Sequence, residues 1–223
     1  MIAFNRAGKE ERKDPQRQDK LNIAIPDAIR ISHLASSAVN LALQAAKNST
    51  SLETVPGLNA SSVSTLLERW FGEDVLPVTP AGVANSEYLY GHYTRMHALL
   101  ANSSLLYSCI SPEATTEDGT PLCPPHVTAF VMDEHDLVAG TTWINTTFPG
   151  INFCPYLLRA RNEIWQRAVD VWERVGRNHT WILGQSIPLI MLHEMSHQLH
   201  VGSSKLILDV PKLNEAYSLG YFK

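Results

Sequence analysis

Two histidines and a glutamate near the end of the chain have the types and the spacing that bind a metal ion. Residues 193–197 read H-E-M-S-H and follow the apolar run 187–192. On a helix, His193 and His197 lie one turn apart on the same face, so both imidazoles can bind a single Zn²⁺. Glu194 lies at the flank of that site, where its carboxylate can take a proton from the water that the metal binds. The pattern predicts hydrolysis of peptide bonds with Zn²⁺ as cofactor.

The alternative is that the histidines are ordinary polar residues of a buried helix and that Glu194 is a solvated surface acid. A chance match to H-E-x-x-H in a chain of this composition has a probability of about a few per cent. Two imidazoles and a carboxylate are also expensive to bury without a metal or polar partners. We therefore favour the metal site.

A catalytic zinc site needs a third protein ligand and leaves its fourth position open. The metzincin pattern is excluded, because it places Gly and His where this chain has His200 and Ser203. Two anionic candidates remain downstream of the motif. Asp209 lies twelve residues after His197, and Glu215 lies in an L-N-E-A-Y sequence similar to that of one-zinc aminopeptidases, which are gluzincins.

The chain resembles the aspzincins, the group of fungal secreted proteases that includes deuterolysin and peptidyl-Lys metalloendopeptidase, and especially their divergent fungal relatives with a lysine-specific metallo-endopeptidase domain. The similar segments occur in the same order: A-V-N-L-A at 38–42, R-W-F-G at 69–72, I-N-F-C-P-Y at 151–156 and the H-E-x-x-H motif. They cover roughly residues 30–223. Only H-E-x-x-H is individually specific.

The resemblance implies a third zinc ligand and a residue that donates a hydrogen bond to the oxyanion of the transition state. The family's G-T-x-D-x-x-Y-G carries the ligand Asp and a Tyr that stabilises the oxyanion. Here only Asn214 and Tyr217 have that exact spacing, and an amide is a poor ligand, so we prefer Asp209 with a local insertion before Tyr217. The implied function is a zinc metalloendopeptidase with Glu194 as general base and acid. The alternatives are a catalytically inactive zinc-binding secreted protein of the same fold and a gluzincin-type aminopeptidase that uses Glu215.

The rest of the chain predicts an α+β, zincin-like fold that is mainly helical, with a small antiparallel sheet. Apolar periodicity and turn residues predict helices over 29–47, 61–71, 86–100, 155–175 and 186–200, and strands over 105–110, 126–132 and 141–145, with 151–154 closing the sheet. Residues 1–28 are polar and charged and predict a disordered leader, which leaves 29–223 as the peptidase domain. The family continues through another helix, so we expect the domain to be truncated at its C-terminus.

The amino-acid composition disfavours some classes of binding partner. The 18 Lys and Arg against 22 Asp and Glu give a net charge of −4, which disfavours nucleic acid and anionic membranes. We expect a monomer whose partner is a peptide or protein substrate. Five N-x-[ST] sequons, at Asn48, Asn59, Asn102, Asn145 and Asn178, exceed the roughly two expected by chance. With the family resemblance they predict a secreted glycoprotein, although the chain shows no apolar signal-peptide core.

The three cysteines predict one disulfide. Cys109 and Cys123 could close a loop whose oxidation contributes about 3 kcal/mol. We expect these two to be paired and Cys154 to be free or paired with another chain.

Overall fold

The computed structural model describes residues 15–47, 57–102, 106–110, 113–115, 118–125, 127, 129–131, 150–155, 157, 165–176 and 181–197. Its helices are α1 (Pro15–Ala46), α2 (Ala60–Phe71), α3 (Pro80–Ala101), α4 (Trp165–Val175), α5 (Trp181–Gly184) and α6 (Ile187–Ser196), and its strands are β1 (Leu106–Cys109), β2 (Ala129–Phe130) and β3 (Gly150–Phe153). The predicted mainly helical character is confirmed. Within these ranges no helix has both the length and the apolar character of a membrane span.

The first helix begins well before the expected start of the domain. Leu21, Ala24, Ile25 and Ala28 recur at the i, i+3, i+4, i+7 spacing of one helical face, and all four are buried in the core. The expected boundary at residue 28 is therefore wrong for residues 15–28, because this face packs against other elements. Residues 1–14 lie outside the described residues.

Helix α2 packs against the C-terminal half of α1, and α3 packs along much of the length of α1. Side-chain caps define where α2 and α3 begin: Oδ1 of the Asn59 side chain accepts from the Ser62 backbone N–H, and the Thr79 hydroxyl oxygen accepts from the Gly82 N–H. Helix α2 ends at Phe71, and its C-cap residue is Gly72, whose φ of 83° is a conformation that favours glycine. This conformation gives a structural reason for the glycine of the R-W-F-G segment.

Helix α3 runs antiparallel to α1. Lys47 at the end of α1 pairs with Glu87 near the start of α3 at 2.6 Å, and His97 near the end of α3 contacts the Ile29 carbonyl of α1. A small apolar cluster holds the α1, α2 and α3 contacts together at one end: Val39, Leu41, Ala42, Leu43, Val63 and Leu67.

The three described strands form a sheet in the order β1-β3-β2. Strand β2 pairs antiparallel to β3, but β1 pairs parallel to it, with Tyr107 opposite Ile151. The expectation of an all-antiparallel sheet is thus wrong for β1. Alternating apolar residues indicate a strand without its direction of pairing, and the long connection between β1 and β3 allows the crossover that parallel pairing needs. The predicted strand at 141–145 lies outside the described residues.

The disulfide also differs from the prediction. Cys123 is bonded to Cys154, with Cα atoms 5.4 Å apart, so it is not available to Cys109. Cys154 follows β3 directly and is buried, so the bond attaches the segment before β2 to the end of the central strand. Cysteine pairing depends on this tertiary path, which the spacing of the cysteines does not reveal.

Candidate metal centre

The helix that carries the H-E-x-x-H motif begins with six apolar residues, 187–192. Ser186 occupies the N-cap position and Pro188 lies in the first turn, but the Ser186 hydroxyl makes no cap hydrogen bond. The buried residues of α6 include Ile187, Met191 and Met195. They face α1, α3 and the sheet, so the helix is anchored along its length.

Helix α6 ends within the motif. The predicted helix continued to His200, whereas α6 ends at Ser196 and His197 forms its C-cap in the right-handed helical region. The His197 backbone N–H donates to the Glu194 carbonyl at 3.2 Å, and the Ser196 hydroxyl donates to the His193 carbonyl at 2.6 Å. These two hydrogen bonds fix the backbone of the last turn, which carries both histidines.

The two imidazoles lie together at the edge of this buried helix. His193 is exposed, His197 is half-buried, and their Nε2 atoms are 3.3 Å apart. Two nitrogens bound at 2.0–2.1 Å to a tetrahedral ion are separated by about 3.3 Å. The observed separation therefore matches the edge of a tetrahedral zinc site. It also allows one ring to donate its N–H to the lone pair of the other when no metal is bound.

Glu194 is not a solvated acid. Only 8% of its surface is exposed, although both neighbouring histidines reach the solvent. Successive residues of a helix are 100° apart, so the carboxylate lies on a face that adjoins that of the imidazoles. A carboxylate in such a position is shielded from bulk water, and its interactions with a nearby proton donor are stronger than they would be in solvent.

The described residues do not supply a third ligand beside the two histidines. In the part that the structure describes, no group of three His, Cys, Asp or Glu side chains is placed for a metal ion. The sequence candidates Asp209, Asn214 and Glu215, and Tyr217, the expected oxyanion donor, lie outside the described residues. The choice among them stays a prediction.

A second pair of neighbouring histidines is not predicted by any pattern in the sequence. His33 of α1 and His97 of α3 have ring centroids 5.1 Å apart. Neither residue belongs to a recognisable motif, and 63 other residues separate them along the chain. The only signal that could have paired them is the antiparallel packing of their helices.

Comparison of the chain with protein-family models, with curated proteins and with solved structures finds no match.

Proposed function

We propose that this protein is a secreted zinc metalloendopeptidase with a zincin-like fold. One observation carries the proposal: a single buried helix presents two imidazoles with Nε2 atoms 3.3 Å apart and places a shielded carboxylate beside them. The aspzincin resemblance of the sequence supplies the substrate class, which is a peptide or protein, and the expectation of a monomer.

The donor set fits zinc. Imidazole nitrogen is among the ligands that Zn²⁺ prefers, and the separation of the two nitrogens equals that of a tetrahedral site. His193 and His197 would hold the ion together with Asp209, the third ligand that we propose. The bound ion would polarise the scissile carbonyl and lower the pKa of water.

The residues of the chain have separate roles in the proposed reaction. Glu194 accepts a proton from the attacking water at a carboxylate oxygen and then donates it to the amine of the leaving peptide. Tyr217 donates a hydrogen bond to the oxyanion. The apolar residues of α6 position this machinery, because a helix anchored on one face holds its other face in a constant orientation.

Two features support secretion. The Cys123–Cys154 disulfide is of a kind that persists in oxidising compartments. Asn59 and Asn102, two of the five sequons, lie exposed at helix ends. Both are sites where a glycan could be attached without disturbing the core.

The variant Glu194→Gln tests the chemistry. The amide neither accepts nor returns the proton, so kcat/KM on an unfolded protein substrate should fall by about 10²- to 10⁴-fold. Zinc should stay equimolar with the protein by elemental analysis. Glu173→Gln, at an exposed glutamate of α4, is the matched control and should keep full activity. Unchanged hydrolysis by Glu194→Gln would contradict the mechanism. Zinc binding without any turnover by the wild type would instead identify a catalytically inactive zinc protein.

The variants Asp209→Ala, Asn214→Ala and Glu215→Ala test the third ligand. We expect only Asp209→Ala to lose zinc and activity together, because its carboxylate supplies an anionic ligand. Zinc content after gel filtration and hydrolysis of Lys-containing peptides are the measurements. Loss of zinc in Glu215→Ala alone would place the protein with the gluzincins.

A further inference from the structure

The second histidine pair bridges two helices. His33 lies exposed on α1 and His97 half-buried on α3, with their ring planes inclined by 35°. The helices pack against each other along much of their length, so the backbone holds the two rings side by side. This pair is distinct from the candidate zinc site on α6. If the two pairs lay together, they would form a group of three or more ligating side chains, and the described ranges contain no such group.

A hydrogen bond determines the tautomer of His97. Its Nδ1 lies 3.2 Å from the Ile29 carbonyl oxygen of α1. A carbonyl oxygen can only accept, so Nδ1 carries the proton and Nε2 of the neutral ring keeps its lone pair. Histidines that bind metals in proteins are commonly oriented in this way, with the second ring nitrogen donating to a carbonyl or carboxylate.

The separation of the rings suits a shared metal ion. The centre of an imidazole lies about 3.2 Å from a metal at its Nε2, so two rings on one tetrahedral ion have centroids about 5 Å apart. The observed distance is 5.1 Å for His33 and His97, against 4.9 Å for His193 and His197. The pair between the helices thus has nearly the ring separation of the H-E-x-x-H pair.

The donor atoms of the pair indicate which ions it accepts. Asp27 and Arg30, which lie on either side of Ile29 in the sequence, form an ion pair with each other at 3.2 Å. Two neutral imidazoles favour Cu²⁺, Ni²⁺ and Zn²⁺ over Ca²⁺ and Mg²⁺, which prefer oxygen ligands. Because Cu²⁺ stands highest in the usual order of affinities, it is the most sensitive probe.

We propose that His33 and His97 form a second transition-metal site, completed by water, that links α1 to α3. The site is independent of the proposed peptidase activity. A metal bound there ties together the two helices on which α6 packs.

The test uses the full chain with the α6 site removed by His193→Ala and His197→Ala. Titration with Cu²⁺, followed by electron paramagnetic resonance, should show one equivalent with two nitrogen ligands, and adding His33→Ala should abolish that signal. Asp27→Ala is the matched control and should leave it unchanged. His33 is exposed, so its replacement leaves the core intact. An unaltered signal in the His33→Ala protein, or loss of the signal in Asp27→Ala, would overturn the proposal.

Thermal unfolding provides an independent measurement. In the same background, Ni²⁺ at one hundred times its dissociation constant should raise the melting midpoint by about 5–10 °C, because only the folded state holds the two rings together. The shift should vanish in His33→Ala and in His97→Gln. A shift of the same size in either variant would show that the ion binds elsewhere.

Discussion

The Cys123–Cys154 disulfide gives a prediction whose size follows from the structure. Its cysteines are separated by 31 positions in the sequence. In the chain-entropy model, closing a loop of that length removes about 12 cal/mol/K of entropy from the unfolded chain, which corresponds to about 3.7 kcal/mol at 25 °C. We therefore expect Cys123→Ala to lower the free energy of unfolding by about that amount. Cys123 is only half-buried, so its replacement adds little cavity cost.

Urea unfolding followed by circular dichroism measures this effect, with and without reductant and at one zinc concentration. The zinc level must be constant, because an ion bound only by the folded state adds its own stability. Reduction should destabilise the wild type and leave Cys123→Ala unchanged. Cys109→Ala is the matched control, and it should keep the full difference between oxidised and reduced protein. Equal stability of oxidised and reduced wild type would refute the entropic argument, and a Cys109–Cys123 peptide in a non-reducing digest would refute the pairing itself.

Two further predictions concern stability. Leu21→Ala should lower the free energy of unfolding by about 2–5 kcal/mol in a urea titration, because Leu21 is 1% exposed within the main core. A loss below about 0.5 kcal/mol would mean that the N-terminal part of α1 does not pack there. Burial raises the pKa of Tyr107 above its ordinary value of 10, so the unfolded state loses this proton first as the pH rises. Stability should then be fully present below pH 10 and fall above it by up to about 1.4 kcal/mol per pH unit, and Tyr107→Phe should remove this component of the alkaline loss measured by urea unfolding.

The candidate site was predictable where it depends on local geometry. The i, i+4 relation of His193 and His197 follows from the helical repeat alone, and the apolar run before it predicts a buried helix. The proposed third ligand, Asp209, depends on the path of the chain after the helix, which no periodicity describes. The neighbouring positions of His33 and His97 likewise depend on how two helices pack.

The presence of the helices and strands was more predictable from the sequence than the residues at which they begin and end. Helix α2 and strand β3 lie within one residue of their predicted bounds, since each has a clear pattern between turn residues. Helix α1 begins before the predicted residue 29, because the polar and charged residues 1–28, which predicted a leader, include a buried apolar face at 21–28. Pro26 inside the helix costs about 3 kcal/mol, and the burial of Leu21 and Ile25, which precede it, offsets that cost in the folded protein.

The packing of α1 against α6 has a consequence for the order in which the protein can fold as it is synthesised. The buried face of α1 at residues 21–28 shares one core with Ile187, Met191 and Met195, which the ribosome adds about 160 residues later. At translation rates of about 5–20 residues per second, the part of that face that packs on α6 stays uncovered for roughly 8–30 s. During this interval it is a surface that chaperones can bind and that neighbouring nascent chains can contact. The helix that bears the H-E-x-x-H motif therefore completes the core, and a nascent chain that stops before Ile187 should be prone to aggregation.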